Sequence, residues 1–124
     1  MREVVIAGPR EVRIVSRAEE PMTPTSIRLR SIYSGISHGT EMNFYRGTAP
    51  HLAMQIDDGL FSPGGPVATP YPVRHGYEMV AEVIEVGSQV ENFAVGDIAW
   101  TGNAGHPDTF VCDTAAGRKP FFCE

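Results

Sequence analysis

Apolar and polar positions alternate most clearly over residues 26–33, where Ile27 and Leu29 are separated by Arg28 and followed by Arg30. A period of two is what a strand with one buried face requires. Two shorter β-branched runs, residues 3–7 and 11–15, flank Gly8-Pro9-Arg10. A short linker of glycine and proline joins antiparallel strands, so the chain opens with a predicted hairpin. Further strands are predicted at residues 79–86, 97–100 and 109–112, with glycine turns at Gly87 and at Gly96-Asp97. Residues 42–46 fit one helical turn closed by Gly47. From Gly47 to Pro72, the glycines and prolines at 50, 63, 64, 65, 66 and 70 exclude long regular elements. A loop of that length in a small domain is functional or mobile. Residues 113–124 carry no period and stay unassigned. Short strands separated by Gly and Pro turns predict a mainly β fold, a partly open β-barrel with short helical turns.

A chain of 124 residues suits one domain, and 42% apolar with 20% charged residues is the balance of a soluble globular protein rather than a disordered one. The net charge of −5, with ten basic residues scattered along the chain, offers nothing to a phosphate backbone, so no nucleic-acid partner is expected. No apolar run approaches the roughly 18 residues that cross a bilayer, and the apolar start is too short for a secretory signal, so a cytoplasmic location without membrane contact is expected. Cys112 and Cys123 stand apart with no CxxC unit, which predicts reduced thiols and argues against a structural zinc. No GxGxxG opens a helix after a strand. Gly64-Gly65 and the pair Gly102 and Gly105 read as turn glycines, so no cofactor-binding residue is expected here.

Residues 74–100 resemble the N-terminal, GroES-like domain of the medium-chain dehydrogenase/reductase superfamily, the zinc-type alcohol dehydrogenases and their relatives. The family phrase runs Gly-His-Glu, an apolar strand, Val-Gly, then Val, Phe and Gly-Asp at fixed spacings. Gly76, Glu78, Val86, Gly87, Val90, Phe93, Gly96 and Asp97 fall in step with it. The resemblance implies a GroES-like barrel over residues 1–115 and a tail over 116–124.

This chain departs from the zinc-type pattern at both visible ligand positions. Tyr77 stands where the family has a zinc-binding His. The family's Gly-Ile-Cys-Gly-Thr-Asp is replaced by residues 35–41, which hold one residue more. Aligning on Gly35-Ile36 puts Ser37 at the cysteine position, and aligning on Gly39-Thr40-Glu41 puts His38 there. A serine hydroxyl is a poor zinc ligand and an imidazole a good one. Phenolate, with a pKa near 10, suits zinc poorly at neutral pH. His75 replaces the missing His only if the turn is rebuilt. His38 and Glu78 are then the sole metal candidates, and no bound zinc is expected.

The resemblance further implies catalytic roles for Thr40, as a proton relay, and for Glu78. Ser37, His38 and Tyr77 become substrate-side residues. The blander readings are a turn histidine for His38, a turn carboxylate for Glu78, and core positions for Tyr33, Phe44, Tyr45 and Tyr77. In the family NAD(P) sits on a Rossmann domain that these residues do not form. The expectation is the substrate-side domain of an NAD(P)-dependent alcohol dehydrogenase-like oxidoreductase, inactive alone, whose exposed face meets a Rossmann partner or a second copy. The alternative is a stand-alone GroES-like binding or protein-interaction module. The substrate stays open.

Overall fold

A computed structural model describes residues 1–49, 54–57, 60–63, 71–115 and 121–122, the backbone alone at 54–57, 60–63 and 121–122. The first two strands, β1 (Arg2–Gly8) and β2 (Glu11–Ser16), form the predicted hairpin. Its turn places Arg10, rather than a glycine, at a positive φ of 59°. The long alternating run becomes β3 (Ser26–Gly35), followed by α1 (Thr40–Arg46). Gly47 closes the helix at φ 73°, the left-handed conformation that a C-terminal glycine adopts without strain.

A four-residue pair, β4 (Met54–Asp57) and β5 (Leu60–Pro63), lies within the segment expected to lack long elements. The Gly64-Gly65 turn and Cys123 fall outside the described residues. The chain continues through β6 (Glu78–Val86), β7 (Ile98–Gly102) and β8 (Thr109–Asp113), within a residue or two of the predicted strands. A two-residue β9 (Phe121–Phe122) pairs with β7 inside the stretch that periodicity leaves unassigned.

The main sheet runs β8-β3-β6-β7-β9, every neighbour antiparallel. Among the described residues its strands do not close into a ring, so the barrel is an open one. Its buried face collects every second residue of β3 and β6: Ile27, Leu29, Met79, Ala81 and Val83, joined by Ala99 of β7. Gly87 closes the β6 end, where a Cβ would lie 2.4 Å from the Thr23 carbonyl oxygen and only glycine fits.

The opening hairpin forms a separate sheet wedged against this one. Along the edge that does not face β2, β1 bonds residue 106 through the Val4 amide and exchanges two backbone bonds between Ile6 and Val73. A second, smaller core of Phe44, Ala49 and Val73 seats α1 against the hairpin, with Ile6 and Tyr71 at its margin. The Tyr71 hydroxyl donates to the Phe44 carbonyl at 2.5 Å.

Candidate functional site

Two turns meet at the end of the main sheet, where β3 finishes opposite the start of β6 with Gly35 paired to Glu78. The absence of a side chain at Gly35 lets the Glu78 carboxylate lie across it, since a Cβ there would stand 3.1 Å from Glu78 Oε2. Gly76 fixes the second turn. A Cβ at that position would lie 2.7 Å from the Gly105 carbonyl oxygen, so the backbone at 76–77 lies against the turn at 103–105. The Asn103 amide donates to the Tyr77 carbonyl at 3.0 Å.

The first turn is built by reciprocal bonds of the helix-capping kind. Ser37 Oγ accepts the Thr40 amide at 3.2 Å, and the Glu41 carboxylate accepts the Ser37 amide at 2.7 Å. Ser37 is thereby part of the turn's own scaffold. His38 projects into solvent beside it. Across the gap, the Tyr77 hydroxyl donates to Thr40 Oγ1 at 3.3 Å. Gly35, Ile36, Ser37, His38, Tyr77 and Glu78 together line a polar cleft of about 310 Å³. All five candidate side chains thus come together, four lining the cleft and Thr40 joined to it through Tyr77.

Sequence reasoning missed what stands behind this cleft. Glu41 is only 3% exposed. Its second oxygen lies 2.5 Å from His106 Nε2, and the other ring nitrogen, Nδ1, lies 2.8 Å from Ser34 Oγ. With the carboxylate as acceptor, Nε2–H is the donor to Glu41, and Nδ1 shares a hydrogen bond with the Ser34 hydroxyl. The result is a chain of polar bonds from Ser34 at the surface to the amide of Ser37. A second buried carboxylate, Glu3, receives Arg17 at 3.2 Å and Arg74 at 3.5 Å and so holds the hairpin to the segment entering the second turn. No short-range signal marks His106, which is 65 positions from Glu41.

His75 has a different place from the one considered in the sequence. Its ring stands edge-on to Tyr77 at 4.4 Å between centroids. It lines a second cavity, and its Nε2 is buried with no hydrogen-bond partner among the described residues. The core reading of the aromatic residues holds for Phe44 and fails for two others: Tyr33 is 74% and Tyr77 40% exposed. The register of β3 against β6 shifts between Ser31 and Tyr33, so Tyr33 stands opposite Val80, on the face away from Ala81 and the core.

Among the described residues no three His, Cys, Asp or Glu side chains gather into a set able to hold a metal ion. The donors around the cleft do not suit the zinc of the zinc-type enzymes. The family's His position presents a phenol already bonded to Thr40, and Ser37 is committed to the turn. No helix among the described residues is long and apolar enough to cross a membrane. Of the titrating groups near β1 and β8, Asp108 is held below the ordinary carboxylate range, first by the Arg2 amide at 2.7 Å and also by the Arg2 guanidinium at 3.0 Å. Burial pushes the Cys112 thiol up.

Residues 24–122 match the family model described as alcohol dehydrogenase GroES-like domain. The chain is 26% identical over 104 residues to D-guloside 3-dehydrogenase of Escherichia coli K12, covering 78% of this chain and 29% of that protein. It is 32% identical over 94 residues to 2-desacetyl-2-hydroxyethyl bacteriochlorophyllide A dehydrogenase of Cereibacter sphaeroides, covering 76% of this chain and 25% of that protein. Among solved structures it is similar to 2R,3R-butanediol dehydrogenase from Bacillus subtilis, with a TM-score of 0.66 at 21% identity, covering 99% of this chain and 40% of that one. The chain therefore spans less than half the length of each of these proteins.

Proposed function

The chain belongs to the alcohol dehydrogenase GroES-like domain family, and we propose that it is the substrate-side domain of an NAD(P)-dependent oxidoreductase acting on an alcohol, a carbonyl or an enone. The observation that carries this reading is the hydroxyl pair at the cleft. Tyr77 donates to Thr40 Oγ1 and leaves the Thr40 proton free to point at a substrate oxygen. The bond received from the Tyr77 hydroxyl keeps Thr40 polarised as a donor.

In carbonyl reduction Thr40 supplies a proton to the oxygen as negative charge develops on it, the Tyr77 proton follows along the bond, and solvent returns a proton to the exposed phenol. Oxidation runs the same relay backwards. Glu78, on the far wall of the cleft, orients substrate hydroxyls as an acceptor, and Ser37 and His38 bound the remaining side. Nicotinamide would supply the hydride when held by a further domain.

Apolar side chains left in water, among them Val12, Ile14 and Ile36, mark the face that such a domain or a second copy covers. The same exposure is what favours the second reading, a binding module that works through this face without catalysis. Absorbance at 340 nm tests between them. The gene product that carries this chain oxidises or forms NADH or NADPH with a panel of alcohols, ketones and enones under the first reading. No turnover with either nucleotide across the panel supports the second.

A further inference from the structure

The two edges of the opening hairpin differ. On β1 the Val4 amide bonds the His106 carbonyl and Ile6 exchanges both backbone bonds with Val73, so these two residues turn their polar groups away from β2. Val4 stands opposite Ile14 and Ile6 opposite Val12, and opposed residues of an antiparallel pair turn their backbone groups either both inward or both outward. Val12 and Ile14 therefore point their N–H and C=O away from β1, as does Ser16 by alternation. Among the described residues β2 pairs with β1 alone. Its free edge lacks the usual protection of an edge strand, since no proline or lysine lies within it and its outward-bonding residues Val12, Ile14 and Ser16 are uncharged. Val12 is 53% and Ile14 70% exposed, so the edge is open to solvent.

We propose that this edge pairs with the β2 edge of a second copy of the chain, antiparallel about a two-fold axis through Ile14. Such a pair needs a strand that complements itself, and in this register β2 does so. Ile14 meets Ile14 of the second copy and exchanges both backbone bonds with it, Val12 does the same with Ser16, and Glu11 falls opposite the oppositely charged Arg17. The neighbouring registers are worse. A two-fold through Arg13 sets two guanidinium groups opposite one another. One through Val12 runs Ile14 against Arg10, which lies in the hairpin turn at a positive φ, where the strand has ended. Val4, opposite Ile14 on β1 and also exposed, extends the apolar stripe across the joined sheet. Pairing along one short strand buries less than a standard interface of about 1,200–2,000 Å², so a weak dimer is expected, with a dissociation constant on the order of 0.1 mM. The pairing is independent of the oxidoreductase reading, since it uses no residue of the cleft.

Residue-resolved hydrogen exchange of the gene product that carries this chain, at about 10 µM and about 1 mM, tests the pairing. The Val12, Ile14 and Ser16 amides should exchange about threefold or more slowly at the higher concentration, while Arg13 and Val15, which face β1, exchange alike at both. In Ile14→Pro the concentration dependence at Val12 and Ser16 disappears, because the proline removes an N–H of the free edge and none that bonds β1. Ile14→Lys leaves the backbone as it is, sets two like charges together on the two-fold, and serves if Ile14→Pro does not fold. Rapid exchange at the three outward amides at both concentrations overturns the proposal, and so does a concentration dependence that survives in the folded variant. Slow exchange there at both concentrations gives the edge to another segment of the same gene product and overturns the pairing between copies.

Discussion

Where β3 pairs with β6, the packing is mainly apolar: Ile27, Leu29, Ala81 and Val83 are fully buried, and the ion pairs Arg28–Glu85 and Arg30–Glu82 run along the opposite face. The corner built from the hairpin and α1 is assembled the other way. Ile14 there is 70% exposed, and two buried carboxylates, Glu3 and Glu41, tie the elements together. Apolar burial stabilises in proportion to area and tolerates approximate geometry. A buried carboxylate is stable only while its specific partners are present. One half of the molecule is therefore a generic scaffold, and the other holds its shape, including the cleft turn at 37–41, through a few particular bonds.

The largest expected effect tests the scaffold. Leu29→Ala, at a fully buried site, destabilises by about 2–5 kcal/mol in urea unfolding, whereas Ile14→Ala stays within about 0.5 kcal/mol. Comparable losses at both sites would erase the distinction between the two regions.

Next comes the corner. Glu41→Ala leaves the Ser37 amide and His106 without an acceptor, at a cost of about 1–3 kcal/mol. In a double-mutant cycle with His106→Ala the two changes are non-additive by about 1 kcal/mol, the signature of a shared bond. Strict additivity would mean that the pair does not hold the corner.

A smaller contrast lies in reactivity. Burial raises the Cys112 thiol on β8, so peptide-level mass spectrometry should find it alkylated by iodoacetamide at neutral pH at least about tenfold more slowly in the native chain than in urea. Equal rates would show that the β8 edge opens freely.

The smallest effect is acid sensitivity where β1 meets β8. Asp108 has a folded-state pKa below its unfolded value, so its contribution is present above the ordinary carboxylate range and is lost as pH falls through the folded value. Its side chain is 38% exposed, which keeps the effect small. Thermal melts of Asp108→Asn and the wild type should separate slightly at about pH 6 and draw together as the pH falls below the ordinary carboxylate range. A gap that stays constant as the pH falls would place the effect elsewhere than in the Arg2 bonds.

The scaffold was legible in the sequence because its rule is local. Alternation at Ile27, Leu29 and Arg30 and the turn at Gly87 need no knowledge of distant residues. The cleft was legible only through motif resemblance at residues 35–41 and 76–78, which placed Ser37, His38, Thr40, Tyr77 and Glu78 in one neighbourhood. The polar corner was not legible. Glu41 finds His106 across 65 positions, and Glu3 finds Arg74 only because β1 is bridged to Val73, a register that depends on the whole hairpin being docked. Tyr33 continues the alternation of β3 in the sequence and is exposed nonetheless, because a bulge between Ser31 and Tyr33 turns it to the outer face opposite Val80.

The hydroxyl relay is the account's central claim, and turnover by two conservative variants of the intact gene product tests it most directly. With a carbonyl substrate and saturating reduced nucleotide, Thr40→Val should lower kcat by about 100-fold and Tyr77→Phe by about tenfold, with KM little changed, as loss of a proton donor and of the group behind it predicts. Wild-type kcat in both variants would contradict it.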